Sequence, residues 1–280
     1  MKYAPLAIFT DLDGTLLDHH TYSYAAAQPM LDKLRGLSIS VMPTTSKTRS
    51  EVELLRHELR LDTPFIVENG AAIYLPVDWL PNQPEGTESV GAFYRKSFSQ
   101  PRSYWLEQLK KLPSALQSSF IGFNQMTDQQ ISLATGLAEH DAHLANQREF
   151  SEPLKWLGSD AEKEQLKQHM QSIGANVLQG GRFVHISGKC NKGMALLWLR
   201  KEMSTQLGYD FQSVALGDSY NDNDMLEAAD IAVQIKTDKH EFPTLFRKDA
   251  VFQSTLLGPK GWNECLEQVL QQFNLTNKER

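Results

Sequence analysis

Asp11 and Asp13 stand two residues apart, directly after the apolar run Leu6-Ala7-Ile8-Phe9. If the strand's end keeps the chain partly extended, both carboxylates project near one edge while Leu12 turns into the core. Carboxylates that close repel each other unless a cation or a shared proton intervenes. Asp-Gly is also common in solvated turns, so Asp13-Gly14 alone carries two readings. A second acidic loop changes the odds: Gly217-Asp218 with Asn221-Asp222 follows another short apolar run, Val214-Ala215-Leu216. Folded to one sheet edge, Asp11, Asp218 and the backbone carbonyl of Asp13 offer hard oxygen ligands for Mg2+. Asp222 then either orients a metal-bound water or binds directly. Thr44, Thr45 and Ser46 supply hydroxyls at another strand's end, where the next helix leaves N–H groups unpaired for a phosphate. Lys192, at the first turn of its helix, adds a positive point charge. Each of these last groups has a bland reading too, since hydroxyl runs cap helices and lone lysines are usually solvated.

These groups need a scaffold. Apolar strands at 6–9, 38–42 and 65–67 alternate with helices at 28–35 and from about Ser50, where Ser50 and Glu53 suggest a capping box. Val52, Leu55 and Leu59 form that second helix's apolar stripe. Such alternation, with a polar loop after each strand, predicts a Rossmann-like α/β core: a parallel sheet flanked by helices, with sites at its carboxyl edge. From about Asn82 the pattern breaks at Pro81, Pro84 and Gly86. Strands near 92–98, 119–123, 149–156, 176–179 and 182–187 then mix with helices at 103–111, 127–146 (broken at Gly136) and 160–172. The βα alternation resumes at Lys192-Gly193, with strands at 214–216 and 231–233. The expected organisation is a core of 1–82 and 188–280 interrupted by an α+β domain at 83–187.

Composition narrows the function classes. The chain has 280 residues, 41% hydrophobic and 22% charged, which is ordinary for a globular protein and excludes a largely disordered one. Lys and Arg number 28 against 34 Asp and Glu, a net charge of −6, so a nucleic-acid binder that neutralises phosphates is disfavoured. Two cysteines exclude a disulfide framework and give no zinc spacing. No apolar run approaches a membrane span and the N-terminus lacks a signal-peptide core, so a cytoplasmic location without membrane partners is expected. Oligomeric state is not legible. His140 and His143 around Asp141 read as a polar helix face, Gly180-Gly181 as a turn, and Trp105, Trp156 and Trp198 as core. His19 and His20 follow the first acidic loop, where an exposed loop explains them as well as a site does.

The ordered combination is more specific than its parts. DLDGTLLD, the strand-end Thr before Ser46-Lys47, Asn191-Lys192-Gly193 and GDSYNDNDML resemble the four motifs of the haloacid dehalogenase superfamily of phosphohydrolases. That resemblance implies Asp11 as nucleophile, Asp13 as general acid/base, Thr45 and Lys192 as charge stabilisers, and the inserted segment as a C2-type cap. TSKT at 45–48, VENGA at 67–71, REFSEP at 148–153 and GGRF at 180–183 resemble the mannosyl-3-phosphoglycerate phosphatase family within it. The narrower resemblance implies a Mg2+-dependent phosphatase for mannosyl-3-phosphoglycerate, with Ser46, Lys47, Asn69, Arg182 and Asn221 toward the substrate. Its partner would be a phosphorylated sugar or glycosyl-phosphoglycerate. Alternatives are glucosyl-3-phosphoglycerate, another sugar phosphate, or a non-catalytic receiver-like phosphate-binding module. The last has no use for a leaving-group acid at Asp13 or for an inserted domain of about 100 residues.

Overall fold

The computed structural model describes residues 5–180, 183–273 and 275. In chain order it runs β1 (Leu6–Thr10), α1 (Gln28–Gly36), β2 (Ser40–Pro43), α2 (Arg49–Leu59), β3 (Phe65–Val67), β4 (Ala72–Pro76), β5 (Glu88–Val90) and β6 (Phe93–Ser97). There follow α3 (Arg102–Lys110), α4 (Ser114–Gln117), β7 (Phe120–Gly122), α5 (Asp128–Thr135), α6 (Glu139–Asn146), β8 (Glu152–Trp156), α7 (Asp160–Ser172), β9 (Ala175–Gly180) and β10 (Phe183–Gly188). The chain ends through α8 (Lys192–Leu207), β11 (Gln212–Gly217), α9 (Asn223–Ala228), β12 (Ile231–Lys236), β13 (Val251–Leu257) and α10 (Gly258–Gln272).

Five strands form a parallel sheet in the order β13-β12-β11-β1-β2. All of β1 is buried, which a strand covered on both faces requires and which explains its unbroken apolar run. Thr10 stands level with Pro43 on one side and Leu216 on the other, so the loops after β1, β2 and β11 leave from one edge. The chain departs from β1 in both directions, and the sheet's topological switch point lies there.

The third strand departs from the expected parallel pattern. A single parallel bridge, Thr44 to Ile66, links it to the end of β2, after which β3 pairs antiparallel with β4 in a four-stranded sheet β3-β4-β6-β5. The tight 3-10 turn Glu68–Gly70 reverses the chain at once and leaves no room for a crossover helix. Helix α2 is capped two residues earlier than Ser50 and Glu53 suggest: Thr48 accepts from the Glu51 N–H, and the Glu51 carboxylate accepts from the Thr48 N–H. Ser50 instead donates to Gln147.

The inserted region is an antiparallel sheet, β7-β8-β10-β9. Leu154, Val184 and Ile186 meet Trp105, Leu109, Leu166 and Met170 from α3 and α7. Phe183, on the other face of β10, packs on Phe123, Ile131 and Ala142. Gly136 separates α5 from α6 in a left-handed conformation, the break the sequence marks there.

Chain contacts divide the described residues into two compact units. One holds the residues up to Thr45, Leu61–Lys96 and those from Asn191 onward; the other holds Ser46–Arg60 and Ser97–Cys190. From the sequence, the breaks fall at 82/83 and 187/188. Residues 83–96 stay with the first unit because β6 joins the sheet of β3 and β4. Residues 46–60 group with the second because α2 packs on α6, with Thr48 donating to the Leu144 carbonyl at 2.9 Å. Among the described residues, no helix is long and apolar enough to cross a membrane.

Candidate active site

β1 delivers Asp11 to the sheet edge, where its N–H continues the ladder onto the Leu216 carbonyl at 2.9 Å. β11 delivers Asp218 beside it, and the following 3-10 turn Tyr220–Asp222 returns Asp222. The three carboxylates are buried and offer oxygens that all lie within 4.8 Å of one another. Lys192, fully buried at the start of α8, donates to Asp11 Oδ1 and Asp222 Oδ1, both at 2.6 Å. The other Asp222 oxygen accepts from the backbone N–H groups of Asp218 and Ser219. Asp222 is thus spent on holding Lys192 and its own loop. Asp218 Oδ1 accepts from the Thr15 hydroxyl at 3.1 Å.

One ammonium among three buried carboxylates leaves two negative charges unanswered. The imbalance registers in the titration. Burial pushes the Asp11 carboxyl well above its usual range; Lys192 opposes this, while Asp222 and Asp218 push it further. Asp218 rises to about 6, from burial first and then Asp222. Lys192 is held protonated because Asp11 and Asp222 outweigh its own desolvation. A cluster of hard oxygens short of two positive charges fits a divalent cation such as Mg2+. Gly14 keeps the approach open: at φ +82°, a Cβ there would come within 2.7 Å of Asp218 Oδ2. Asp13 is half-buried one residue before it, in the tight loop closed by the Gly14 N–H on the Leu17 carbonyl.

Thr44 and Thr45 are buried at the end of β2. The Thr44 N–H donates to the Thr10 carbonyl and that of Thr45 to Ile66, which sets both level with the Asp11 edge. Ser46 and Lys47 fall in the other compact unit, and Lys47 pairs with Glu51 at 3.6 Å. Asn69 and Asn221 come together, with the Asn221 amide donating to Asn69 Oδ1 at 3.0 Å. Asn69 and its neighbour Glu68 are both left-handed, at φ +59° and +48°. The turn they make presses Gly70 on the start of α8, where a Cβ would lie 2.1 Å from the Asn191 carbonyl oxygen. Backbone strain is thereby spent beside Lys192. Arg182 lies outside the described residues.

Several contributors carry no local signal. Trp262 on α10 donates to the Thr10 hydroxyl at 3.0 Å, a link across 252 positions. Thr15 sits inside a recognisable motif, but its acceptor lies 203 positions away. His140 and His143 lie on exposed α6, where His143 is 2.9 Å from Asp128, and join no ligand cluster among the described residues. His20 meets Asp238 on the surface. Trp105 is core and Trp156 packs against it, whereas half-buried Trp198 lies under the Lys96 ammonium.

Comparison with known proteins agrees with this geometry. Residues 8–242 match the family model of haloacid dehalogenase-like hydrolases. A glucosyl-3-phosphoglycerate/mannosyl-3-phosphoglycerate phosphatase of Methanococcoides burtonii is 34% identical, with 95% of this chain and 98% of that protein covered. One of the same name from Persephonella marina is 33% identical over 96% and 98%. The fold is similar to that of a HAD-superfamily phosphatase from Bacteroides thetaiotaomicron, at a TM-score of 0.64 and 17% identity, covering 98% and 97% of the two chains. The chain belongs to the haloacid dehalogenase-like hydrolases and, among them, to the phosphatases that cleave phosphoric monoesters.

Proposed function

We propose that this phosphatase is Mg2+-dependent and hydrolyses mannosyl-3-phosphoglycerate to mannosylglycerate and phosphate. Glucosyl-3-phosphoglycerate is the second reading, favoured by the double name of both relatives. The observation that carries the chemistry is the Asp11 carboxylate at the end of β1, gripped by a buried Lys192 at 2.6 Å. Mg2+, held by Asp11, Asp218 and the Asp13 backbone carbonyl, would supply positive charge to the transferring phosphoryl oxygens.

Asp11 attacks phosphorus, so an Asp11 O–P bond forms as the bond to the glycerate oxygen breaks. Asp13 protonates that leaving oxygen. It then takes a proton from the water that attacks the aspartyl-phosphate, which releases phosphate and restores Asp11. Lys192 and Thr45 stabilise charge on the phosphoryl group, and Asp222 keeps Lys192 in place. Ser46, Lys47, Asn69 and Asn221 contact the remainder of the substrate. Arg182 is assigned to the sugar or the carboxylate on its sequence alone. The inserted α+β unit acts as the cap that reads specificity.

Steady-state rates across mannosyl- and glucosyl-3-phosphoglycerate, 3-phosphoglycerate and hexose phosphates, with Mg2+ and with EDTA, test this reading. The two glycosyl-phosphoglycerates should dominate kcat/KM, and EDTA should remove turnover. Equal rates on simple hexose phosphates would overturn the substrate, and EDTA-resistant activity would overturn the metal.

A further inference from the structure

Lys192 reaches Asp11 and Asp222 on a flexible four-carbon stem, yet its ammonium stands 2.6 Å from both carboxylates. Holding it there requires the start of α8 to be fixed, because a misplacement of about 1 Å in a catalytic site costs on the order of 100-fold in rate. Two close approaches fix it. Gly70 lies against the peptide bond that joins Asn191 to Lys192: a Cβ on it would stand 2.1 Å from the Asn191 carbonyl oxygen and 2.8 Å from the Lys192 nitrogen. Gly193 lies against the Asp224 carbonyl, where a Cβ would stand 2.3 Å from the oxygen. The first turn of α8 is thus pressed on the Glu68–Gly70 turn and on the segment that follows Asp222.

The turn that carries Gly70 has its own cost, since Glu68 and Asn69 are consecutive left-handed residues. Such backbone persists only where its surroundings over-determine it. Within the turn, the Asn69 N–H donates to the Thr45 carbonyl at 2.9 Å and the Ala71 N–H to that of Val67 at 3.1 Å. A further tie comes from the acidic loop, where the Asn221 amide donates to Asn69 Oδ1 at 3.0 Å. Asn221 precedes Asp222, Asn69 precedes Gly70, and Asn191 precedes Lys192. The contacts therefore close a ring: Lys192 on Asp222, Asn221 on Asn69, and Gly70 on the Asn191 peptide. Every member lies in the compact unit that holds the parallel sheet.

We infer that Asn69 is a positioning residue: its turn locks the acidic loop to the start of α8 and so holds Lys192 between Asp11 and Asp222. A short amide suits the place, because Asn tolerates left-handed backbone while its side-chain oxygen is free to accept from a neighbouring loop. The inference rests on the roles given above to Asp11 and Lys192, and not on which ester is cleaved.

The test is a double-mutant cycle on the full chain, read with an aryl phosphate that has neither glycerate nor sugar. Asn69→Gly keeps the left-handed turn and removes the acceptor; Asn221→Ala removes the donor. Asn69→Gly should lower kcat about three- to tenfold with KM within about twofold, and in the Asn221→Ala background it should add less than about twofold. Asn69→Asp, which keeps an acceptor, should recover most of the loss when Asn221 is present and none when it is Ala. Amide hydrogen exchange supplies a second readout at Met194 and Ala195, whose N–H groups donate to Asn191 at 2.7 and 3.3 Å. Both should exchange about threefold faster or more in either single variant, and no faster in the double. Additive losses, a change confined to KM, an aryl-phosphate rate that does not move, or unchanged exchange would each overturn the assignment. A parent that releases no phosphate from the aryl ester would overturn the reading of Asp11 instead, and the exchange rates would still report the ring.

Discussion

In the inserted unit, Glu152 is fully buried and its charge is answered. Arg102 Nε donates at 2.5 Å, the Asn124 N–H donates to the second oxygen, and Arg102 spends its remaining fork on the Asn146 carbonyl and side-chain amide. In the parallel-sheet unit, Asp11, Asp218 and Asp222 are also buried but, among the described residues, share Lys192 as their one ammonium or guanidinium partner. Both arrangements cost desolvation, yet only the first recovers it through complete pairing. Its balance makes the Arg102–Glu152 pair a fixture that pins α3 to β8. The deficit at the sheet edge is a standing demand for positive charge, which a metal and a phosphoryl transition state can each exploit.

Removing one member from each cluster should have opposite consequences. Asp11→Asn should cut phosphate release from an aryl phosphate by about a thousandfold or more, because an amide does not attack phosphorus. The same change removes like-charge repulsion, so the melting temperature should hold or rise. Activity within about tenfold of the parent would take Asp11 out of the nucleophile's role. Arg102→Met should instead leave Glu152 buried without its counter-charge and destabilise the chain by ~3–5 kcal/mol. The urea midpoint measures this, and an unchanged midpoint would show that the pair is not what pins α3 to β8.

The deficit also fixes a pH dependence. Folding raises the carboxyls of Asp11 and Asp218, so between about pH 4 and 6 these two groups hold more protons in the folded chain than in the unfolded one. Their contribution to the stability of the EDTA-treated protein, read as the difference between the parent and Asp218→Asn, should therefore fall as pH rises through that window. Mg2+ requires the carboxylate forms and should reverse the trend. Its apparent affinity should drop about tenfold per unit as pH falls below the Asp218 value of about 6. Calorimetric Mg2+ titrations at pH 5, 6 and 7 measure the slope, and a flat affinity would place the cation away from Asp218.

Legibility in the sequence follows the same division. Asp11, Asp218 and Lys192 were readable because short local segments, a buried strand followed by an acidic turn or Lys-Gly opening a helix, place each at one sheet edge. The antiparallel strand β4 escaped because its all-apolar run continues from β3 through a turn that local pattern reads as a loop. β13 escaped because its mixed residues, mostly half-buried or exposed, show no clean period. The hairpin of β5 and β6 was assigned across the domain break because its pairing with β4 is a tertiary fact. Arg102–Glu152 was invisible for the same reason: 50 positions separate the partners, and nothing in either segment names the other. The substrate-facing roles of Ser46, Lys47 and Asn69 rest on family resemblance; geometry adds the Lys47 pairing with Glu51 and the Asn69 contact with Asn221, neither of which names a substrate.

The finest probe of the deficit is Thr15, fully buried, whose hydroxyl supports Asp218 Oδ1 at 3.1 Å. Thr15→Val keeps the shape and β-branching but deletes this donor. The Thr15 hydrogen bond favours the charged form of Asp218, so its loss raises that carboxyl further and makes its anion costlier to present to a cation. A hydrogen bond to a charged group contributes ~1.5–3 kcal/mol at most, and bound Mg2+ would restore part of it by stabilising the same anion. The Mg2+ concentration for half-maximal activity should therefore rise about five- to tenfold at pH 7, with kcat at saturating Mg2+ within about twofold of the parent. That split separates support of a metal ligand from a part in the chemistry. A fall in kcat that Mg2+ cannot rescue would move Thr15 into the phosphoryl site. An unchanged requirement would mean that Asp218 meets the cation without the hydroxyl's help.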